Sequence, residues 1–147
     1  MSQKISKILV AIDGSQPSIS AAYQALEIAK QNNSEITALY ISFIPLSLRF
    51  KSRDILEAAH QSDVEELTRW LEDIRKKAEN SNIPFKIEAI ETTSSTVKAI
   101  IDYAEKNTVD LIVLGYKGRS KIERAMLGSV ASGVVNNARC SVMVVRC

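Results

Sequence analysis

Gly115, Gly118 and Gly128 punctuate the segment 109–133, and four basic residues, Lys117, Arg119, Lys121 and Arg124, lie among them. Glycine lets backbone N–H groups approach oxygen atoms with no Cβ in the way. Gly128-Ser129 stands where a short apolar helix can begin with Ser129 as its cap, and a helix N-terminus adds unpaired N–H groups and the positive end of its dipole. This is the chemistry of a phosphate cradle. The same residues also serve a plain strand-to-helix connection with solvated basic side chains, and composition alone does not separate the two. A second group, Asp13-Gly14-Ser15, offers a carboxylate able to accept hydrogen bonds from ribose hydroxyls or an adenine edge. By itself Asp-Gly-Ser is ordinary turn chemistry.

Other chemistries lack their residues. There is no GxxxxGK[ST], no GxGxxG after the first strand and no GxSxG, so a P-loop, a nicotinamide dinucleotide fingerprint and a nucleophile elbow are absent. A slow hydrolase or phosphotransferase would need a carboxylate near the γ-phosphate, and Glu123 is the acidic candidate within the loop. His60 is the only histidine and has no matched serine or cysteine. With Cys140 and Cys147 alone and no CxxC pair, a structural zinc site has no ligand set. Arg139 beside Cys140 is a weak argument for a reactive thiol. Trp70 and Tyr103 fall at helical positions and read as core or interface residues.

The elements that position these groups follow from periodicity. The β-branched run 5–12 reads as a strand ending at Asp13, with Ser15 as N-cap and Pro17 in the first turn of a helix over 17–32. Ala21, Ala22, Ala25, Leu26 and Ala29 form that helix's inner face, and Asn32-Asn33 closes it. A strand over 35–43 precedes 44–53, read as a flexible lid. The longest helix, 53–80, carries Ile55, Leu56, Ala59, Val64, Leu67, Leu71, Ile74 and Ala78 on one face. Residues 84–91 alternate as an edge strand exposed on one side, 92–96 cap a helix over 95–107, and 109–114 is apolar apart from Asp110, as in a central strand covered on both faces. A short helix over 130–137 and a strand over 141–145 finish the chain. Alternating strands and helices imply an α/β fold with five parallel strands and right-handed crossovers. Ligands in such sheets bind beyond the carboxyl ends of the strands, where strand order reverses.

With 46% hydrophobic and 24% charged residues, the chain has an ordinary globular composition and is read as one domain over 1–147. A net charge of +2 is too small to imply nucleic acid or a membrane surface. No apolar segment precedes Ile8 and none is long enough to span a bilayer, so a cytoplasmic protein is expected.

The opening ILVAIDGS together with Gly115-x2-Gly118-x9-Gly128-Ser129 resembles the universal stress protein family over the whole chain, the second motif matching the family's ATP-binding signature. The resemblance implies a Rossmann-like open sheet of order 3-2-1-4-5 with helices on both faces. It also implies a homodimer joined through the last strand and ATP, with Mg²⁺, held between the first and fourth strand loops. Carried over by position, Asp13 faces the ribose or adenine, Ile41 offers its backbone to the adenine edge, and Ile12 and Leu114 pack nearby. Gly115, Gly118 and Arg119 meet ribose and phosphates, while Gly128, Ser129 and Val130 complete the triphosphate site. Ala131 departs from the family, which can place a hydroxyl there. The function so implied is that of an ATP-binding regulatory or energy-sensing homodimer with an unknown partner protein and at most slow hydrolysis. The alternative is a non-catalytic partner-binding module whose cleft takes another adenine nucleotide or none.

Overall fold

The apolar runs around Ile8 and Leu111 lie side by side, Ile8 opposite Leu111 and Val10 opposite Val113. They are central strands of a computed structural model that describes residues 4–43, 53–117 and 127–146. The elements are β1 (Lys7–Ala11), α1 (Gln16–Asn32), β2 (Glu35–Phe43), α2 (Arg53–Asn80), β3 (Phe85–Thr92), α3 (Thr96–Lys106), β4 (Leu111–Gly115), α4 (Ser129–Asn137) and β5 (Ser141–Val145). The five strands are all parallel, in the order β3-β2-β1-β4-β5.

Helices cover both faces. One core joins Ile8, Val10 and Val113 to Ala21, Ala25 and Leu26 of α1 and Leu67, Leu71 and Ile74 of α2. The other joins Leu9, Ile112 and Leu114 to Ile100 and Ala104 of α3 and Ala131 and Val134 of α4. Because β1 and β4 are buried on both sides, their sequences read as unbroken apolar runs and not as alternations. The small residues of α1 let that helix lie close to the sheet, and Ala21, Ala25 and Ala29 are wholly buried.

Local chemistry fixes the element ends. Ser15 caps α1, its Oγ accepting the Ser18 N–H at 3.3 Å, with Pro17 in the first turn. Asn33 ends the helix in the left-handed region at φ 53. Ser95 caps α3 by accepting the Lys98 N–H at 3.0 Å. β1 begins at Lys7 and not at residue 5, because the N–H groups of Ser6 and Lys7 donate to Asp110 Oδ2 at 2.9 and 3.0 Å. β4 begins at Leu111 and not at 109, because the Val109 N–H still closes α3 through Ala104 O at 2.9 Å.

β3 is an edge strand, as its alternation implies. Phe85 and Ile87 pack toward α1 and α2, while Lys86 is exposed. Glu88 is half-buried and not fully outward, since it accepts a hydrogen bond from Tyr103 of α3. Tyr103 and Trp70 both pack against the cores, as read. The lid reading of 44–53 falls mainly on residues outside those described, and so do the side chains of Ile55, Leu56, Ala59 and His60.

Candidate functional site

The loops after β1 and β4 meet because their strands are neighbours. Beyond Ala11 the Ile12 N–H continues the sheet pattern by donating to Leu39 O at 2.9 Å, and the chain then turns at Asp13. Asp13 Oδ1 accepts the Ser15 N–H at 2.9 Å, the Asx turn its residue type favours. Ser18 closes the turn from the first coil of α1: its Oγ donates to Ser15 O at 2.8 Å and accepts the Asp13 N–H at 3.3 Å. Gly14 has φ +85, a conformation that side chains rarely adopt. Asp13 is thus at once a turn residue and the half-buried carboxylate at the carboxyl end of β1.

β4 ends on Gly115, which pairs with Val145. A Cβ on Gly115 would stand 2.7 Å from the Pro17 carbonyl carbon, so its lack of a side chain lets the first turn of α1 pack on the strand end. Tyr116 then donates its N–H to Val145 O at 2.7 Å, and its own carbonyl accepts the Gly128 N–H at 2.9 Å. That bond brings the start of α4 back to the end of β4 and closes the base of the intervening loop. Gly118 and Arg119 lie outside the described residues, as do Lys121, Glu123 and Arg124.

The helix cap differs from the sequence reading. Gly128, at φ −61 and ψ 156, is the N-cap of α4 and makes no side-chain capping bond; Ser129 is the first helical residue and is exposed. The chain leaves the strand through Tyr116 and returns by the Gly128 N–H, which sets the first turn one residue earlier than apolar periodicity does. The Ser132 N–H donates to Gly128 O at 2.8 Å, so the helical ladder begins there. The N–H groups of Ser129, Val130 and Ala131 therefore precede the ladder, at the positive end of the helix dipole.

The remaining site residues are backbone or wall. Ile12 and Leu114 are each 3% exposed, on opposite faces of the sheet, which leaves their side chains to the cores. Ile41 lies at the carboxyl end of β2, opposite Ile90, and packs against the α3 and α4 core together with Val130. The structure brings Ile12, Asp13, Gly115, Gly128, Ser129 and Val130 to the same end of adjacent elements, with Ile41 on the next strand.

Two further residues, Tyr116 and Ser18, shape this end and belong to no motif that names a ligand. Tyr116 is buried between Arg146, whose Cζ lies 4.5 Å from the ring centroid, and Lys117, whose Nζ lies 5.9 Å away. Ser18 was legible only as the fourth residue of Ser-x-x-Ser. Cys140 sits elsewhere, beside a cavity of about 210 Å³ at the amino ends of the strands, lined by Ile101, Ala104, Val109 and Ile112. Burial pushes its thiol up, and Arg139 is engaged with Glu105 at 3.2 Å, so the neighbouring guanidinium does not activate it. Among the described residues no cluster of three His, Cys, Asp or Glu side chains could hold a metal ion, and no helix is long and apolar enough to cross a membrane.

An all-parallel sheet whose strand order reverses beside β1, with loops converging at the carboxyl ends, defines a Rossmann-like doubly wound α/β protein. The profile of the universal stress protein family matches residues 4–146. A universal stress protein of Methanocaldococcus jannaschii is 34% identical over 140 residues, which span 95% of this chain and 81% of that one. The solved universal stress protein UspA of Lactobacillus plantarum is 26% identical with a TM-score of 0.77, covering 99% of this chain and 100% of that one. A universal stress protein of Archaeoglobus fulgidus, solved in complex with dAMP, shares the fold at 23% identity and a TM-score of 0.68, covering 98% of this chain and 100% of that one. The chain belongs to the universal stress protein family.

Proposed function

We propose that this protein is a nucleotide-binding regulator that holds ATP with Mg²⁺ in the cleft between the Asp13 turn and the start of α4, and that it works as a homodimer acting on a partner protein. The observation that carries this reading is the return of Gly128 to Tyr116. It sets the uncapped N–H groups of α4 beside the glycine-ended strand β4, whose neighbour β1 runs into the Asp13 turn. Adenosine at the β1 side and phosphates at the α4 side suit those two chemistries. The dAMP bound by the Archaeoglobus fulgidus relative supports an adenine nucleotide.

Asp13 would meet the ribose or adenine, the Ile41 backbone the adenine edge, and Gly115, Gly118 and Arg119 the ribose and phosphates. The N–H groups of Ser129 and Val130 and the Ser129 hydroxyl would take the phosphate tail. Bound ATP supplies anionic oxygens that can ligate Mg²⁺, which the described side chains do not cluster to hold. The chain's own work is to bind and orient: among the described residues no group is arranged to activate water, and hydrolysis in this reading is at most slow.

Denaturing freshly purified protein and identifying the released nucleotide by chromatography tests the reading. ATP is expected; release of none, together with no calorimetric binding of added Mg-ATP, overturns it. Release of AMP or a cyclic nucleotide instead would favour the alternative cleft specificity. Gly118→Val and Gly128→Val are expected to weaken Mg-ATP binding by more than about tenfold, or roughly 1.4 kcal/mol, with the fold retained. Position 128 is informative because φ −61 and ψ 156 suit any residue, so a loss there reports the path of the phosphates and not backbone strain.

A further inference from the structure

Trp70, the only tryptophan, reaches from α2 to the backbone of the Asp13 turn. A Cβ built on Gly14 would stand 2.5 Å from Cη2 and Cζ2 of Trp70 and 2.9 Å from Cζ3. These atoms form the outer side of the benzo ring, so the ring closes on the space a side chain at Gly14 would occupy. The indole also meets Tyr40 of β2 edge-to-face, with centroids 6.4 Å apart and planes at 68°. Tyr40 directly precedes Ile41. One rigid side chain therefore braces both strand ends that flank the adenosine in the reading above, the turn bearing Asp13 and the end of β2 bearing Ile41.

A core tryptophan normally packs against other side chains. Here the ring packs against a left-handed glycine, the residue with the most backbone freedom to lose. The hydrogen bonds of Asp13, Ser15 and Ser18 hold the turn to α1. Trp70 adds a contact between the turn and α2. A turn left loose at Gly14 would have to be ordered when a nucleotide binds, at a cost on the order of tenfold in affinity for each residue fixed.

We propose that Trp70 is a positioning residue for the adenine nucleotide: its contacts with Gly14 and Tyr40 preset the adenosine side of the cleft, and occupancy of the cleft is registered at its indole. The inference rests on the nucleotide reading of the site. The variants Trp70→Leu and Trp70→Phe are titrated with Mg-ATP and with AMP by calorimetry, and the emission of Trp70 is followed in the wild type. The expected results are a change in emission on saturation, affinity lowered about tenfold in W70L, and affinity within about threefold of wild type in W70F, where a planar ring remains. Affinity in W70L within twofold of wild type, or emission unmoved by saturating nucleotide, overturns the proposal.

If the wild type binds neither nucleotide, the reading of the site fails, and amide hydrogen exchange decides the role of Trp70 separately. Faster exchange at Gly14 and Ser15 in W70L than in W70F supports the brace, and equal exchange removes it. Should W70L not fold, W70M, which fills the volume without a planar ring, takes its place in both comparisons.

Discussion

Gly115 was legible as the end of a strand, but not the reason for it. Its spacing from Gly118 and Gly128 points to a ligand, while the structure adds a packing demand from Pro17, a residue remote in sequence that β1 and β4 bring close by pairing. Gly115→Ala is expected to destabilise the fold by roughly 1–3 kcal/mol, the usual cost of overpacking, because backbone and not a mobile side chain occupies the space. Urea unfolding with an unchanged m-value checks it. Thr108 shows the opposite fault. It sits at φ 54 just after α3, where a β-branched residue is strained and glycine is at ease. Thr108→Gly is expected to raise stability by about 0.5–1 kcal/mol, seen as a higher urea midpoint. The threonine in the sequence gave no warning of a left-handed residue, unlike Asn33 and Asn82, whose type suits it.

The elements were legible because periodicity reports burial, and the inner face read for α1 is the buried one. What periodicity does not carry is how elements are tied to one another. α1 and α2 are joined where Tyr23 Oη donates to Asp73 Oδ2 at 2.6 Å and Lys77 lies both 3.3 Å from that carboxylate and over the Tyr23 ring. The Tyr23 hydrogen bond, then Lys77, holds the Asp73 carboxyl below its ordinary value of 3.8. A carboxyl lowered in the folded state contributes stability above its unfolded pKa and loses that contribution as pH falls through the folded value. Tyr23→Phe is therefore expected to bring the Asp73 pKa back toward 3.8 and to flatten the acid loss of stability at and below that pH. A carboxyl-carbon NMR titration reads the first effect, and urea unfolding at a series of pH values the second. Asp110 and Gly128 teach the same lesson at element ends: the carboxylate of one delays β1, and the backbone bond of the other advances α4, and both act through partners that no local pattern names.

At the scale of the whole molecule, β5 is an outer strand of the sheet, and the proposed dimer would continue the sheet through it. The direction of its backbone groups makes this testable. Val145 O accepts from Tyr116, so the N–H and C=O of residue 145, and by alternation of 143 and 141, face β4. The groups of Val142 and Val144 consequently face away from β4, toward the open edge. Met143 adds an exposed apolar side chain on the same strand, 37% accessible. Proline is tolerated on an edge strand where its missing N–H would have faced outward. Val144→Pro should therefore spare the β4–β5 ladder while removing a donor that strand pairing with a second copy requires. In the dimer reading, sedimentation velocity shows the wild type as a dimer and Val144→Pro as a monomer with the same circular dichroism. Met143→Glu should weaken the dimer through the side-chain face without touching the ladder. A wild type that sediments as a monomer, or a Val144→Pro variant that remains a dimer, removes β5 as the joint and leaves the nucleotide cleft, at the strand ends, to be judged on its own.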